Sequence, residues 1–169
     1  MRETELVAPV RQHLEAQGFR VFVNPDGADY FDVVVRRGDE VGLVELKVAD
    51  WKTVVVQALR RRGWGDWVAV VLPRRSLAEK AAARPTAPRG ARVGVWYLLN
   101  GSVEVLRAAQ RLVLPGEVDP FPDPKRWLLE RLEIAEAGGM AEPVTWSVPD
   151  AGRIGPHRRT SRDWRLEEF

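Results

Sequence analysis

The chain of 169 residues contains no cysteine. Disulfide bridges, zinc–thiolate centres and cysteine nucleophiles are thereby excluded, and a cysteine-free chain suits a reducing cytoplasm. Histidine is nearly as scarce. His13 and His157 stand far apart, too few for a histidine-rich metal site. No apolar run approaches the roughly 20 residues of a membrane-spanning helix, so no membrane partner is expected. The opening Met1-Arg2-Glu3-Thr4-Glu5 is acidic and enters a helical pattern at once, unlike a signal peptide. A net charge of +2 is too small to create a global field for polyanions. Lysine is confined to Lys47, Lys52, Lys80 and Lys125, and every other basic residue is arginine. Arginine offers phosphate a bidentate fork, which fits nucleic-acid contact, although genomic composition or thermal adaptation produces the same bias.

What remains is a chain 45% hydrophobic and 30% charged, enough to bury a real core in one globular domain. Leu6, Val10 and Leu14 recur at helical spacing, predicting a helix over 3–17 that Gly18 ends. Pro9 lies inside that pattern and either kinks the helix or marks its first turn. A strand over 19–23 and the turn Asn24-Pro25-Asp26-Gly27 follow. Two apolar strands are then joined at Gly38-Asp39, a pair suited to a two-residue II′ hairpin. Asp50 is a plausible N-cap for a helix over 51–62, stopped by Gly63. The run Trp67–Leu72 reads as a strand buried on both faces. Ser76 is placed as the cap of a helix through Ala83, and 84–89 as a loop. Strands over 93–99 and 102–106 flank the hairpin signal Asn100-Gly101. The order is α, three strands, α, strand, α, two strands, with a core over 1–113. Pro115, Pro120, Pro122 and Pro124 mark a linker over 114–124. A helix at 125–137 and an arginine-rich tail complete the chain to 169.

The first hairpin carries the chemistry. Its strands read Tyr30-Phe31-Asp32-Val33-Val34-Val35 and Val41-Gly42-Leu43-Val44-Glu45-Leu46-Lys47. A turn at Gly38-Asp39 pairs position 37 with 40 and sets Asp32 opposite Glu45. Like charges facing each other destabilise a sheet, and unpaired carboxylates among apolar residues are costly. A divalent cation turns that repulsion into coordination. Glu45 and Lys47, two residues apart, share a face. Two carboxylates, with the backbone carbonyl of Leu46 between Glu45 and Lys47, make a hard oxygen site suited to Mg²⁺. Lys47 is placed to orient a water or stabilise developing negative charge. The reaction this suits is phosphodiester hydrolysis. The plain alternative is a surface ion-pair cluster.

Asp32, a hairpin, then Glu45-Leu46-Lys47 followed by a helix resembles the PD-(D/E)xK nuclease superfamily, over residues 1 to about 107. The resemblance implies a restriction-endonuclease-like α/β fold, an αβββαβ core with a central mixed sheet flanked by helices, here followed by a small C-terminal helical extension. It implies metal binding by Asp32 and Glu45, with Mg²⁺ replaceable by Mn²⁺, and Lys47 as the catalytic lysine. Members often carry a glutamate on the first helix. Glu5 matches that place and Glu3 is its rival, while a solvated acid at a helix N-terminus is the bland alternative. Gln57, alone among Val54, Val55, Val56, Ala58 and Leu59, matches a polar residue that several branches place on the helix after the lysine strand. Phe31 stands where many members have proline, and Arg61 departs from the branch with a Gln-xxx-Tyr motif.

The nucleic acid expected is DNA rather than RNA. Arg60, Arg61 and Arg62 at the end of the second helix, with Arg74 and Arg75 after the next strand, are candidates for phosphate contact. Cations at a helix C-terminus are also stabilising in their own right. The tail from Arg153 to Arg165 is a further candidate, or a disordered basic end. The tryptophans read mostly as core anchors. Resolvases and many restriction enzymes in the superfamily act as dimers, so a homodimer is the assembly the resemblance allows for. The competing expectations are a binding module on the same fold without catalysis, and an interaction protein with an incidental acidic pair.

Overall fold

The computed structural model describes residues 1–23, 32–61, 64–83, 93–111 and 124–137. The turn at 24–27, Tyr30 and Phe31, Gly63, the loop at 84–89, nearly all of the proline-rich linker and the whole tail lie outside these residues, as do the side chains of Arg60 and Arg61 and all of Arg62.

Leu6, Val10 and Leu14 are all fully buried, which makes one stripe of α1 (Thr4–Glu15) a core face. Pro9 falls in its second turn, where the helix continues past it with one backbone donor fewer. Gly18, at φ +82°, turns the chain out of the helix, and the Phe19 amide returns to the Leu14 carbonyl at 3.1 Å. Strands β1 (Arg20–Val23), β2 (Val33–Arg37) and β3 (Glu40–Leu46) follow as an antiparallel meander. Gly38 has φ +59° while Asp39 does not enter the left-handed region, as a II′ turn requires.

After β3 the chain crosses over through α2 (Trp51–Arg61) to β4 (Trp67–Leu72), which lies parallel to β3. Asp50 caps α2 as expected, its Oδ1 accepting the Thr53 amide at 3.1 Å. A second crossover, α3 (Arg75–Ala83), leads to β5 (Gly94–Leu99), parallel to β4. Ser76 is not the cap of α3. The helix starts one residue earlier, and the Arg74 carbonyl takes the amides of Leu77 and Ala78. Asn100 (φ 51°) and Gly101 (φ 81°) make the tight turn into β6 (Ser102–Arg107), the antiparallel edge. Helix α4 (Pro124–Ala137) closes the described chain, with proline in the first helical position.

The six strands lie in the order β1-β2-β3-β4-β5-β6, each beside its neighbour in sequence. Alternation along β2, β3 and β4 divides the core in two. One face carries Val33, Val35, Val44, Leu46, Ala69 and Val71 against α1. The other carries Val34, Val41, Leu43, Val68 and Val70 against α2, α3 and α4. The result is a mixed α/β architecture, a six-stranded open sheet flanked by helices. Helix α4 belongs to that second layer: Leu128 and Leu132 are buried in it. Its Glu136 pairs with Arg20 at 3.2 Å, and its Glu133 with Arg36 at 3.2 Å. It thus covers β1 and β2, the half of the face that the two crossover helices leave open.

Candidate active site

The register of the first hairpin follows from its turn. Arg37 pairs with Glu40 and Val33 with Val44, and one further step sets Asp32 opposite Glu45. Asp32 lies just outside β2, and its carboxylate turns to the neighbouring strand. Asp32 Oδ2 accepts the Leu46 amide at 2.7 Å. The acid is therefore fastened to the peptide between Glu45 and Lys47. The next amide, of Lys47, goes the other way, to the Val71 carbonyl of β4 at 3.1 Å. The N–H and C=O of one strand residue point to the same side, so the Leu46 carbonyl faces the Asp32 side.

Glu45 follows Val41 and Leu43 in the alternation, on the sheet face that α2 covers, and is only 2% exposed. A carboxylate this buried is rare without compensation. Lys47 sits just beyond the last residue of β3. Its ammonium lies 2.9 Å from Glu3 Oε1, directly before α1. That hydrogen bond raises the Lys47 pKa above its ordinary value. Partial burial works against the rise, and the charges of Glu3, Asp32 and Asp50 add to it. Lys47 is therefore a cation at neutral pH.

Of the two glutamates weighed at the start of α1, Glu3 reaches the lysine. Glu5 turns toward solvent, where the Arg2 main-chain amide and then the Arg2 guanidinium, at 3.4 Å, donate to its carboxyl and hold it below the usual range. Asp50, read from sequence only as a helix cap, is a further acid near Lys47, and its pKa is lowered first by the Thr53 hydroxyl. Gln57 is half-buried on α2 beside the buried Val54, Val55, Ala58 and Leu59, and no hydrogen bond among the described residues joins it to Asp32, Glu45 or Lys47.

Strand direction sorts the arginines. Because β3 and β4 are parallel, Arg74 and Arg75 follow β4 at the same end of the sheet as Lys47, and both are exposed. Arg75 also pairs with Glu79 at 2.9 Å. Helix α2 runs back along the sheet over a rise of about 1.5 Å per residue. Its last turn, which bears Arg60 and Arg61, lies at the opposite end, away from the acids.

A second buried acid escaped the sequence reading. Asp66 is 7% exposed; its Oδ2 accepts the Val41 amide at 2.8 Å, and its own amide donates to the Val41 carbonyl at 2.7 Å. Lys125 of α4 reaches it at 2.8 Å. Asp66 thus ties the start of β3 to β4 and to α4, at the end of the sheet remote from Lys47.

The donors near the Leu46 peptide are hard oxygens: Asp32, Glu45 and a main-chain carbonyl. Among the described residues no group of three or more Asp, Glu or His side chains converges to hold a metal ion. Mg²⁺ does not require one, since it is commonly held by one or two carboxylates with waters and substrate phosphate completing the shell.

Fold and site together define a mixed α/β protein with an acid–lysine constellation at one end of an open sheet. No protein-family model matches the chain, and no curated protein matches it. Among solved structures it is similar to the SPO1766 protein of unknown function from Silicibacter pomeroyi, with a TM-score of 0.57 at 17% identity, over 83% of this chain and 89% of that one. At that identity the likeness concerns the fold alone. Among the described residues no helix is long and apolar enough to cross a membrane.

Proposed function

We propose that this protein is a divalent-metal-dependent nuclease that hydrolyses phosphodiester bonds of DNA, built on a restriction-endonuclease-like core. The observation that carries the reading is the 2.7 Å bond from the Leu46 amide to Asp32 Oδ2, which fastens one acid to the peptide between Glu45 and Lys47. The order α1, β1–β3, α2, β4 supports it, being the αβββαβ order that the sequence resemblance implies.

In this reading Asp32 and Glu45 would hold Mg²⁺, or Mn²⁺ in its place, with the Leu46 carbonyl on the Asp32 side. When bound, the ion would supply charge neutralisation at the phosphoryl oxygens and lower the pKa of a water. Lys47 carries its proton throughout, so its role is that of a cation and hydrogen-bond donor. It orients the water or stabilises the negative charge that develops. Glu3 holds the ammonium in position from α1. Arg74 and Arg75 are the candidates for backbone phosphate contact at that end of the sheet. Gln57 is assigned a polar contact from α2.

The test is cleavage of labelled duplex, single-stranded, flap and junction DNA with Mn²⁺, using Lys47→Ala as control. Cleavage lost in Lys47→Ala is the expected result. Binding of these substrates without cleavage by the wild type would favour a catalytically inactive nucleic-acid-binding module on the same fold. Mn²⁺ affinity unchanged in Asp32→Ala would sink the metal assignment.

A further inference from the structure

The sheet has a concave site at its other end, on the face that α1 covers. It is a cavity of about 340 Å³, between the last turns of α1, the first residues of β3 and β4, and the segment after β6. Glu40 marks this end of β3 and Lys47 the other. Seven residue steps at roughly 3.3 Å each separate them by about 23 Å, so the cavity is distinct from the acid–lysine constellation.

Its walls are aromatic. The rings of Trp67 and Trp96 lie 6.0 Å apart, His13 meets Trp96 edge-on at 5.4 Å, and Phe19 meets Trp67 at 5.7 Å. The floor depends on Gly42, where a Cβ would meet the Trp67 ring at 2.0 Å. His13 contributes a neutral ring, because burial lowers its pKa more than Glu104 raises it. Gln17 Nε2 lies 2.8 Å from His13 Nε2. An amide NH₂ can only donate, so that nitrogen accepts and the ring proton sits on Nδ1.

The rim carries two arginines. Glu40 accepts the Trp67 indole N–H at 2.9 Å and pairs with Arg37 at 2.8 Å. The Arg37 guanidinium also stacks on Phe19 at 4.3 Å. Arg111 is 76% exposed at the mouth and pairs at 3.6 Å with Asp66, an acid that Lys125 also engages at 2.8 Å. An incoming anion at Arg111 therefore competes with one shared carboxylate, while Glu104 stands close enough to act on His13.

Aromatic walls accept a flat ring edge to face as well as offset, and a guanidinium binds an anionic group. The volume falls at the lower end of the roughly 300–1,000 Å³ range of ligand pockets. We propose that this cavity binds a planar heteroaromatic ring bearing one anionic group, of about the size of a single nucleotide. The ring meets the small accessible parts of Trp67 and Trp96, which are 8% and 5% exposed, and the anion points to Arg111. This goes beyond the nuclease reading and does not rest on it. Two sources carry that chemistry, a free mononucleotide and the terminal nucleotide of a strand.

Isothermal titration calorimetry on full-length Lys47→Ala protein without metal tests the proposal, so that the result does not depend on cleavage. The probes are adenosine 5′-monophosphate, adenosine, inorganic phosphate and a short 5′-phosphorylated deoxyoligonucleotide. The monophosphate binds saturably, and adenosine and inorganic phosphate each bind at least about tenfold more weakly, as expected if ring and charge both contribute. Ala108→Trp, an exposed substitution at the mouth, abolishes binding while the protein keeps its melting temperature, and Arg111→Glu weakens it by about tenfold or more. Competition by the oligonucleotide identifies a strand terminus as a source, and its absence leaves the free mononucleotide. No saturable binding of the monophosphate, or binding unchanged in both Ala108→Trp and Arg111→Glu, overturns the proposal.

Discussion

Lys47 Nζ and Glu3 Oε1 lie 2.9 Å apart, joining the residue just past β3 to the residue just before α1. The pair bridges the two ends of a segment more than forty positions long, and it sets the charge of the lysine. The hydrogen bond that Lys47 donates to Glu3 is the largest influence raising the Lys47 pKa above 10.5.

That shift has a pH signature. A lysine whose folded pKa exceeds its unfolded value stabilises the fold fully below the unfolded value, and the contribution is lost as pH rises through the folded one. Wild-type protein is therefore expected to lose stability more steeply than Glu3→Gln above pH 10.5. At neutral pH the two differ by no more than about 1 kcal/mol, because the pair is partly exposed. Thermal melts of both proteins across the alkaline range check this. A constant difference at every pH would contradict it.

Asp32 is expected to serve structure and chemistry separably. Asp32→Ala leaves the Leu46 amide without its acceptor and costs about 1–3 kcal/mol. Asp32→Asn keeps an acceptor oxygen, so it restores most of that stability. Neither variant binds Mn²⁺ in the proposed manner. Urea unfolding and metal titration, run on the same two variants, separate the effects. Full metal binding in Asp32→Asn would assign the residue to the fold alone.

Removal of the lysine cation acts on rate. In the proposed nuclease, Lys47→Ala lowers cleavage by about 10²–10³-fold, the range found when one donor to a developing charge is removed. Its Mn²⁺ affinity stays close to wild type. Single-turnover cleavage beside metal titration reads both quantities. Unchanged cleavage would remove Lys47 from the site.

Asp66 anchors the far end of the sheet. Asp66→Ala removes the carboxylate that Lys125 reaches and leaves the Val41 amide without that acceptor. Loss of a partly buried pair together with a main-chain acceptor costs about 1–3 kcal/mol. Chemical denaturation measures the loss, and a change below about 1 kcal/mol would place the pair among the ordinary surface ion pairs.

Gly42 admits no side chain. The Cβ of Gly42→Ala would meet the Trp67 ring, which is held in place by Glu40. Overpacking of this kind costs about 1–3 kcal/mol or more. A lower melting temperature and an altered near-ultraviolet tryptophan signal are the expected results.

The parts of the fold written in local chemistry were legible in the sequence. Gly38-Asp39 specifies its turn, the turn specifies the 37–40 pairing, and the pairing brings Asp32 to Glu45. Asp50 announced its helix in the same way. What depends on distant packing was not legible. Which glutamate of the first turn meets Lys47 depends on how α1 is seated over the sheet, and helical periodicity does not encode that. Asp66 carries no local signal, because its partner, Lys125, lies 59 positions further on. Buried Leu128 and Leu132 make α4 part of the core, where its sequence, set off by prolines, reads as an appendage. The place of Arg60 and Arg61 was in principle deducible, since a crossover helix between parallel strands must end where the second strand begins.

The strand order has a consequence for how the molecule comes into being. Each described strand pairs with its immediate neighbour in the chain, so among the described residues no strand waits for a partner made much later. Such local pairings cost little loop entropy and favour rapid assembly. Glu3, Asp32, Glu45 and Lys47 all belong to α1 and the first hairpins or their borders. During synthesis the acids and the lysine can therefore be gathered while the ribosome is still extending the second half of the sheet.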